Sequence, residues 1–227
     1  MKTISKFLAA VLCIASLNAQ DGAPKVGFIR IVNAVAAGEG NTKILVDGEV
    51  LYPKGYKLGQ RTGGIGLPAG SRKITVRKDG VEEGATTVAL TLGSTTTLIA
   101  FAEKVEPEDP EEEIIWKSRI LRLKQSDPER GYRLTVVSVC SQDSVAINVA
   151  TEARRAFEQT AVKRFKTASV DLGGARGDVE VTLRGQKKPL CGMSLDEPGN
   201  YVAVLYDDAD GNVQALTFYD PKFVIAG

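Results

Sequence analysis

Apolar residues recur in short runs broken by Gly, Pro, Asp and Asn, and in several runs they alternate with polar residues. Val26–Asn33 (VGFIRIVN) is β-branched and apolar, and Lys43–Gly48 (KILVDG) ends on an Asp-Gly turn. Leu67–Gly70 (LPAG) is a further turn leading into Arg72–Arg77 (RKITVR), which alternates with period two. Thr86–Leu92 and Thr95–Phe101 follow, rich in Thr and Val. Side chains leave the two faces of a strand alternately, so this pattern predicts short strands joined by turns. Long helical periodicity is absent. The one helix-like stretch is Thr151–Thr160 (TEARRAFEQT), which reads as a short helix or a polar connection.

The pattern repeats. Ile29–Ala34 aligns with Leu134–Val139 at an offset of 105 (134 − 29), and Ile44–Val46 with Ile147–Val149 at 103 (147 − 44). Gly64–Leu67 and Ile74–Val76 align with Ser169–Leu172 and Val179–Val181 at 105, and Gly80 falls on Gly185. Leu92 falls on Leu195, and Leu98–Phe101 on Tyr201–Val204, at 103. Such phase-keeping over a whole half reads as a tandem duplication. Each half closes with a hairpin. In the first, Thr95–Lys104 and Ile114–Leu123 flank the acidic turn Pro107–Glu113; in the second, Tyr201–Tyr206 and Val213–Tyr219 flank Asp207–Asn212. The expected fold is all-β: two tandem immunoglobulin-like β-sandwiches of about seven strands each, over residues 20–124 and 132–227. The junction at 125–131 is short and polar, which suggests fixed or semi-fixed domains.

Residues 1–19 read as a signal peptide: a basic start at Lys2 and Lys6, the apolar run Phe7–Ser16, then Leu17-Asn18-Ala19 as a cleavage site. The apolar run is too short to span a bilayer, and no other long one follows. The expected location is outside the cytoplasm, in the periplasm, at the outer-membrane surface or beyond the cell. Removal of the signal changes the charge count. The chain of 227 residues carries 29 basic and 28 acidic side chains; without Lys2 and Lys6 it carries 27 against 28, a net of −1. This near-neutral balance speaks against a nucleic-acid partner held by bulk charge. There is no histidine, which removes the commonest general base and metal ligand near neutral pH, and with them Ser–His and Cys–His hydrolases. The expectation is a protein that is not an enzyme and has no cofactor.

The string Arg30-Ile31-Val32-Asn33-Ala34, with Val46-Asp47-Gly48, Leu67-Pro68-Ala69-Gly70 and Ile74-Thr75-Val76-Arg77, resembles a family of bacterial secreted β-sandwich domains known mainly as a domain of unknown function. The resemblance covers Val26–Glu103. The whole chain also resembles immunoglobulin-like proteins encoded beside pilus-related gene clusters in mucin-degrading gut verrucomicrobia. That resemblance implies an outer-membrane or pilus-associated role.

Loss of Cys13 with the signal leaves Cys140 and Cys191, whose repeat counterparts are Val35 and Val88. Apolar counterparts place both cysteines inward, either as an inter-sheet disulfide or as two buried free thiols. Arg176-Gly177-Asp178, in the glycine-rich stretch Gly173–Asp178, is the tripeptide that integrins read; it is an adhesion candidate if it stands at a loop tip, and otherwise an ordinary turn. Asp207, Asp208 and Asp210 form a calcium candidate, but the run lacks the EF-hand pattern and reads more simply as a hairpin turn. Arg61–Gly66 (RTGGIG) lacks the Lys-Ser/Thr ending of a phosphate loop. Lys163–Lys166 (KRFK), with Arg154 and Arg155, is a basic run that reads as a solvated face or a contact for anionic polymer. Trp116 is the single Trp among few aromatics, which speaks against a lectin built on stacked rings. The expected function is structural or interaction-based at the envelope, cell surface or pilus, with protein partners, a homo-oligomer among them, and no membrane-spanning segment. The rival expectation is an adhesive or ligand-binding module that contacts host protein or glycan through loops of the second half.

Overall fold

A computed structural model describes residues 26–107, 114–124, 130–152 and 155–222, with backbone alone at 155–159. The signal peptide with Cys13, most of the acidic turn, residues 125–129 of the junction and Arg154 lie outside the described residues. The first half contains β1 (Val26–Ala34), β2 (Glu39–Val46), β3 (Glu49–Val50), β4 (Ile65–Pro68), β5 (Gly70–Asp79), β6 (Val81–Leu90), β7 (Thr95–Val105) and β8 (Ile115–Arg122). The second contains β9 (Tyr132–Ser138), β10 (Ser144–Thr151), β11 (Arg155–Lys163), β12 (Thr167–Gly173), β13 (Gly177–Leu183), β14 (Pro189–Leu195), β15 (Gly199–Asp207) and β16 (Val213–Tyr219). The chain is all-β and forms two tandem immunoglobulin-like sandwiches, with eight strands among the described residues of each half rather than seven. The helix-like stretch Thr151–Thr160 instead holds the last residue of β10 and, from Arg155, the start of β11, which pairs antiparallel with β10 through two register shifts. Ladder pairing there overrides a weak local pattern.

The two halves share one topology. Sheet order β12-β9-β15-β16 in the second half matches β4-β1-β7-β8 in the first, and β11-β10-β13-β14 matches β3-β2-β5-β6. The registers refine the repeat. Ile29 lies opposite Thr96 and Ile65, and Leu134 opposite Tyr201 and Val170, so β1, β4 and β7 all carry the offset 105. Ile44 pairs with Val76 and Val149 with Val181, so β2 carries 105 as well. The offset of 103 expected for β2 and β7 is therefore two residues out. Alternating strands realign equally well after a two-residue slip, because the same side chains return to the same face. On β6 the offset becomes 107, since Val76 pairs with Gly84 and Val181 with Cys191. The counterpart of Cys191 is thus Gly84, not Val88.

That exchange separates the halves locally. A Cβ on Gly84 would meet the Ser118 carbonyl oxygen at 2.0 Å, so only glycine lets β6 approach β8, and Glu82 bridges Lys117 there in parallel. The bridge joins the first half into a continuous eight-stranded sheet, whereas the second half keeps two four-stranded sheets.

Each half has its own core between its two four-stranded layers. Ile29, Ile31, Ile44, Ile74, Val76 and Leu98 fill the first; Leu134, Val136, Ile147, Val149, Val181 and Leu205 fill the second. A third core lies between the halves. Val32, Ala34, Ile99, Phe101 and Leu123 of the first half cluster with Val137, Val139, Val202, Val204, Tyr206 and Phe218 of the second. β1, β7, β9 and β15 are therefore covered on both faces, which is why they read as nearly continuous apolar runs instead of alternating. The third core is built from equivalent positions: Val32 and Val137, Ala34 and Val139, Ile99 and Val204, Phe101 and Tyr206 all differ by 105. The contact is isologous in design, the same patch used twice, as in a two-fold dimer.

Candidate functional site

The halves differ most between β3 and β4. In the second half the chain runs along β11, turns through Arg164–Lys166 and enters β12. In the first half β3 is two residues long and the chain leaves it as a loop, Leu51–Gly64. Two apolar side chains of this loop stand in solvent, Tyr52 at 44% and Leu58 at 45% exposure; Arg61 is exposed too, has no carboxylate partner among the described residues, and carries its guanidinium over the Phe218 ring of the second half, 5.9 Å from the centroid.

Asn33 is what holds this loop. It is buried at the end of β1, and every polar group it has is used. Its backbone N–H donates to the Gln60 carbonyl (2.9 Å) and its carbonyl accepts from Gly59 N–H (2.8 Å). Its side-chain Nδ2 donates to the Tyr56 carbonyl (2.9 Å), and its Oδ1 accepts from Val35 N–H (3.1 Å). The counterpart in the second half is Ser138, 105 positions on. Ser138 Oγ accepts from Cys140 N–H (3.4 Å) and its carbonyl from Phe165 N–H (2.8 Å), but a hydroxyl has no second arm to reach a longer loop. Further anchors are the two-way pairing of Thr42 with Tyr56 (2.8 and 3.0 Å), Asn41 Nδ2 on the Lys54 carbonyl (2.9 Å) and Gln60 Oε1 on Lys57 N–H (2.8 Å). Gly59 takes φ +81° at its turn; at the equivalent turn of the second half Phe165 takes φ +57°, held by its ring against Phe101 at 5.7 Å.

The pinned loop forms a shallow hollow of about 410 Å3 lined by Tyr52, Tyr56, Gly59, Gln60 and Arg61. The Tyr52 and Tyr56 rings meet edge to face, 5.8 Å apart at 60°. Tyr56 rests on the first core, and burial, with Tyr52 beside it, raises its phenol above the usual value, so it is neutral and able to donate at physiological pH. From Val50 to Lys78 the sequence has seven Lys and Arg and no carboxylate. Four of the seven are engaged or belong to β5: Arg72 with Asp47, Arg77 with Glu83, Lys78 Nζ on the Val35 carbonyl, and Lys73. Lys54, Lys57 and Arg61 belong to the loop itself, and of these Arg61 lines the hollow. Nothing in the sequence pattern marked Tyr52, Tyr56 and Asn33; the Lys/Tyr-rich, acid-free stretch was the signal that was there to be read.

The residues singled out from sequence are scattered. Cys140 and Cys191 are both free; Cys140 is buried in the second core and Cys191 sits half-buried against it. Burial pushes both thiols up to about 12, and for Cys140 this outweighs the opposing hydrogen bond from Ser138. Arg176 is exposed before β13, but Gly177 and Asp178 are already in that strand, Asp178 opposite Ser194. The Asp178 carboxylate accepts from the Ser194 hydroxyl at 2.5 Å. The tripeptide is thus not at a loop tip. Asp208 Oδ1 accepts from the N–H groups of Asp210 (3.0 Å) and Asn212 (2.8 Å), and these amides hold its carboxyl below the usual range. Asp207 instead accepts from Ser141 N–H (2.5 Å). The run Asp207, Asp208, Asp210 is a hairpin turn in which the Asp208 carboxylate is taken up by amides of the turn and of Gln214.

Asp178 and Asp208 lie at opposite ends of the second sandwich. Gly177 pairs with Leu195, next to the start of β15, whereas Asp207–Asn212 follows its end and shares a hollow of about 500 Å3 with the β13–β14 turn. Within the basic run Arg164 bridges Glu103 of the first half at 2.5 Å and so joins the contact between halves, while Lys163 and Lys166 stay exposed. Arg155 has no described side chain.

No family model matches the chain, and no curated protein matches it. Among solved structures the chain is similar to the Bacillus anthracis TIE protein, at 13% identity and a TM-score of 0.24. The match covers 87% of this chain and 32% of that one, so the chain spans about a third of the length of that protein.

Proposed function

We propose that this is a non-enzymatic exported protein that serves a structural or interaction role at the cell envelope or surface, in a pilus-associated setting as one form of it. The observation that carries the reading is the third core. Two sandwiches joined by an apolar seam and a buried ion pair hold a fixed mutual orientation, which suits a spacer or presenting element. The described residues contain no helix long and apolar enough to cross a membrane, and no group of three His, Cys, Asp or Glu side chains placed to hold a metal. The rival reading, adhesion through Arg176–Asp178 and Asp207–Asn212, lacks the shared face it needs, because those segments occupy opposite ends.

Cell fractionation with protease shaving of intact cells tests the proposal. Recovery in envelope or surface fractions, with loss on shaving or after outer-membrane permeabilisation, is the expected result. Recovery in the cytosol overturns it.

A further inference from the structure

We propose that the Leu51–Gly64 loop is a binding site for the acidic sugar units of an anionic polysaccharide. The hollow combines the groups such a ligand needs. Tyr52 and Tyr56 form a corner of two rings against which the C–H face of a pyranose packs. Arg61 lines the same hollow, and a guanidinium meets a carboxylate with two parallel N–H donors. Gln60 lines the hollow and uses its Oε1 within the loop, which leaves its amide N–H groups to serve as donors to acceptors such as sugar hydroxyls. Lys54 and Lys57, both exposed on the same loop, add positive charge to it, as successive acidic units of a polymer require.

The loop is also prepared in advance. Asn33, Thr42 and Asn41 fix its backbone at folding, so ordering is not charged to binding. Exposed Tyr and Leu on a rigid, doubly anchored loop are otherwise unfavourable, and the second half, which lacks the loop, shows that the fold does not need them. The cations alternate with the rings along the chain instead of standing behind an apolar tip, which favours a sugar polymer over insertion into a lipid surface.

The proposal sharpens the surface reading by naming a ligand class, but its test uses purified protein and fails independently of where the protein resides. Binding of the full chain to polygalacturonate is measured by titration calorimetry, with uncharged dextran, polyglutamate and phosphatidylglycerol vesicles as comparisons. The expected result is binding to polygalacturonate that weakens with salt, and none to dextran. Arg61→Gln should weaken it about tenfold and Tyr52→Ala about fivefold, while Tyr52→Phe keeps it. Tyr52→Ala should leave any polyglutamate binding unchanged, because that contact is charge alone. Thermal melts that match the parent chain confirm that these exposed substitutions leave the fold intact. Absence of polygalacturonate binding, indifference of that binding to Tyr52→Ala, or preference for the vesicles overturns the proposal.

Discussion

Arg30 and Asp220, 190 positions apart in the chain, form a buried ion pair that ties the first half to the second. Thr97 Oγ1 adds a hydrogen bond to the same carboxylate at 2.9 Å. Arg30 projects from β1 on the face of Val32 and Ala34, at the edge of the third core. Burial, with Arg61 nearby, lowers its pKa to about 10, still well above neutral pH, so the guanidinium keeps its charge under physiological conditions. Its counterpart in the repeat is Thr135, which bonds Asn200 within the second half at 2.8 Å. The duplicated interface is therefore symmetric in its apolar side chains and asymmetric in its one buried charge pair.

This asymmetry makes a prediction. Removing one partner strands a buried charge, so Asp220→Ala should destabilise the chain by about 3–5 kcal/mol in urea unfolding. Replacing both, as Arg30→Met with Asp220→Leu, should recover most of that loss. If the single and double variants lose equally, the pair contributes through shape and not charge.

Asn33 should control the loop beyond its share of stability. Asn33→Ala deletes two side-chain hydrogen bonds in a buried site and should cost about 2–3 kcal/mol. Asn33→Ser, which copies the residue at 138, keeps an acceptor for Val35 N–H and loses the arm to Tyr56. Both variants should open Lys54, Lys57 and Arg61 to trypsin under native conditions, with Asn33→Ser intermediate in stability. Unchanged cleavage in both would show that the loop is held without this side chain.

The two thiols give a redox and a pH prediction. In denaturant, the chain from Gln20 onward should titrate two free thiols, and in native buffer neither should react readily. Because both thiols are raised in the folded state, folding retains protons that the unfolded chain releases above about pH 9. Their stabilising effect is complete below that pH and is lost as pH rises toward about 12. Cys140→Ala with Cys191→Ala should flatten this alkaline loss, measured as the urea midpoint against pH.

The strands, the closing hairpins and the duplication were legible because period-two alternation and Asp-Gly turns are local signals. The register was less so, since Leu98 and Thr96 lie on one face and either can be set on Tyr201. The third core left a trace in the unbroken runs around Ile99 and Val204, but only knowledge of both packed faces gives those runs their meaning. The site was hidden for another reason. Asn33 looks like any strand-end polar residue, and its role depends on which backbone groups the fold brings within its reach. Arg176–Asp178 erred in the opposite way: a motif was plain in sequence, and the start of β13 took it into a ladder.

Differential scanning calorimetry tests the fusion of the two halves most directly. If Val32, Ile99, Val137 and Val204 form one continuous seam, the chain from Gln20 onward should unfold in a single transition whose van't Hoff and calorimetric enthalpies agree. Val204→Asp, which places a charge in that seam, should lower the midpoint of the whole molecule or split the transition in two. Two independent transitions in the unaltered chain, with Val204→Asp shifting only the second-half transition, would contradict the shared core.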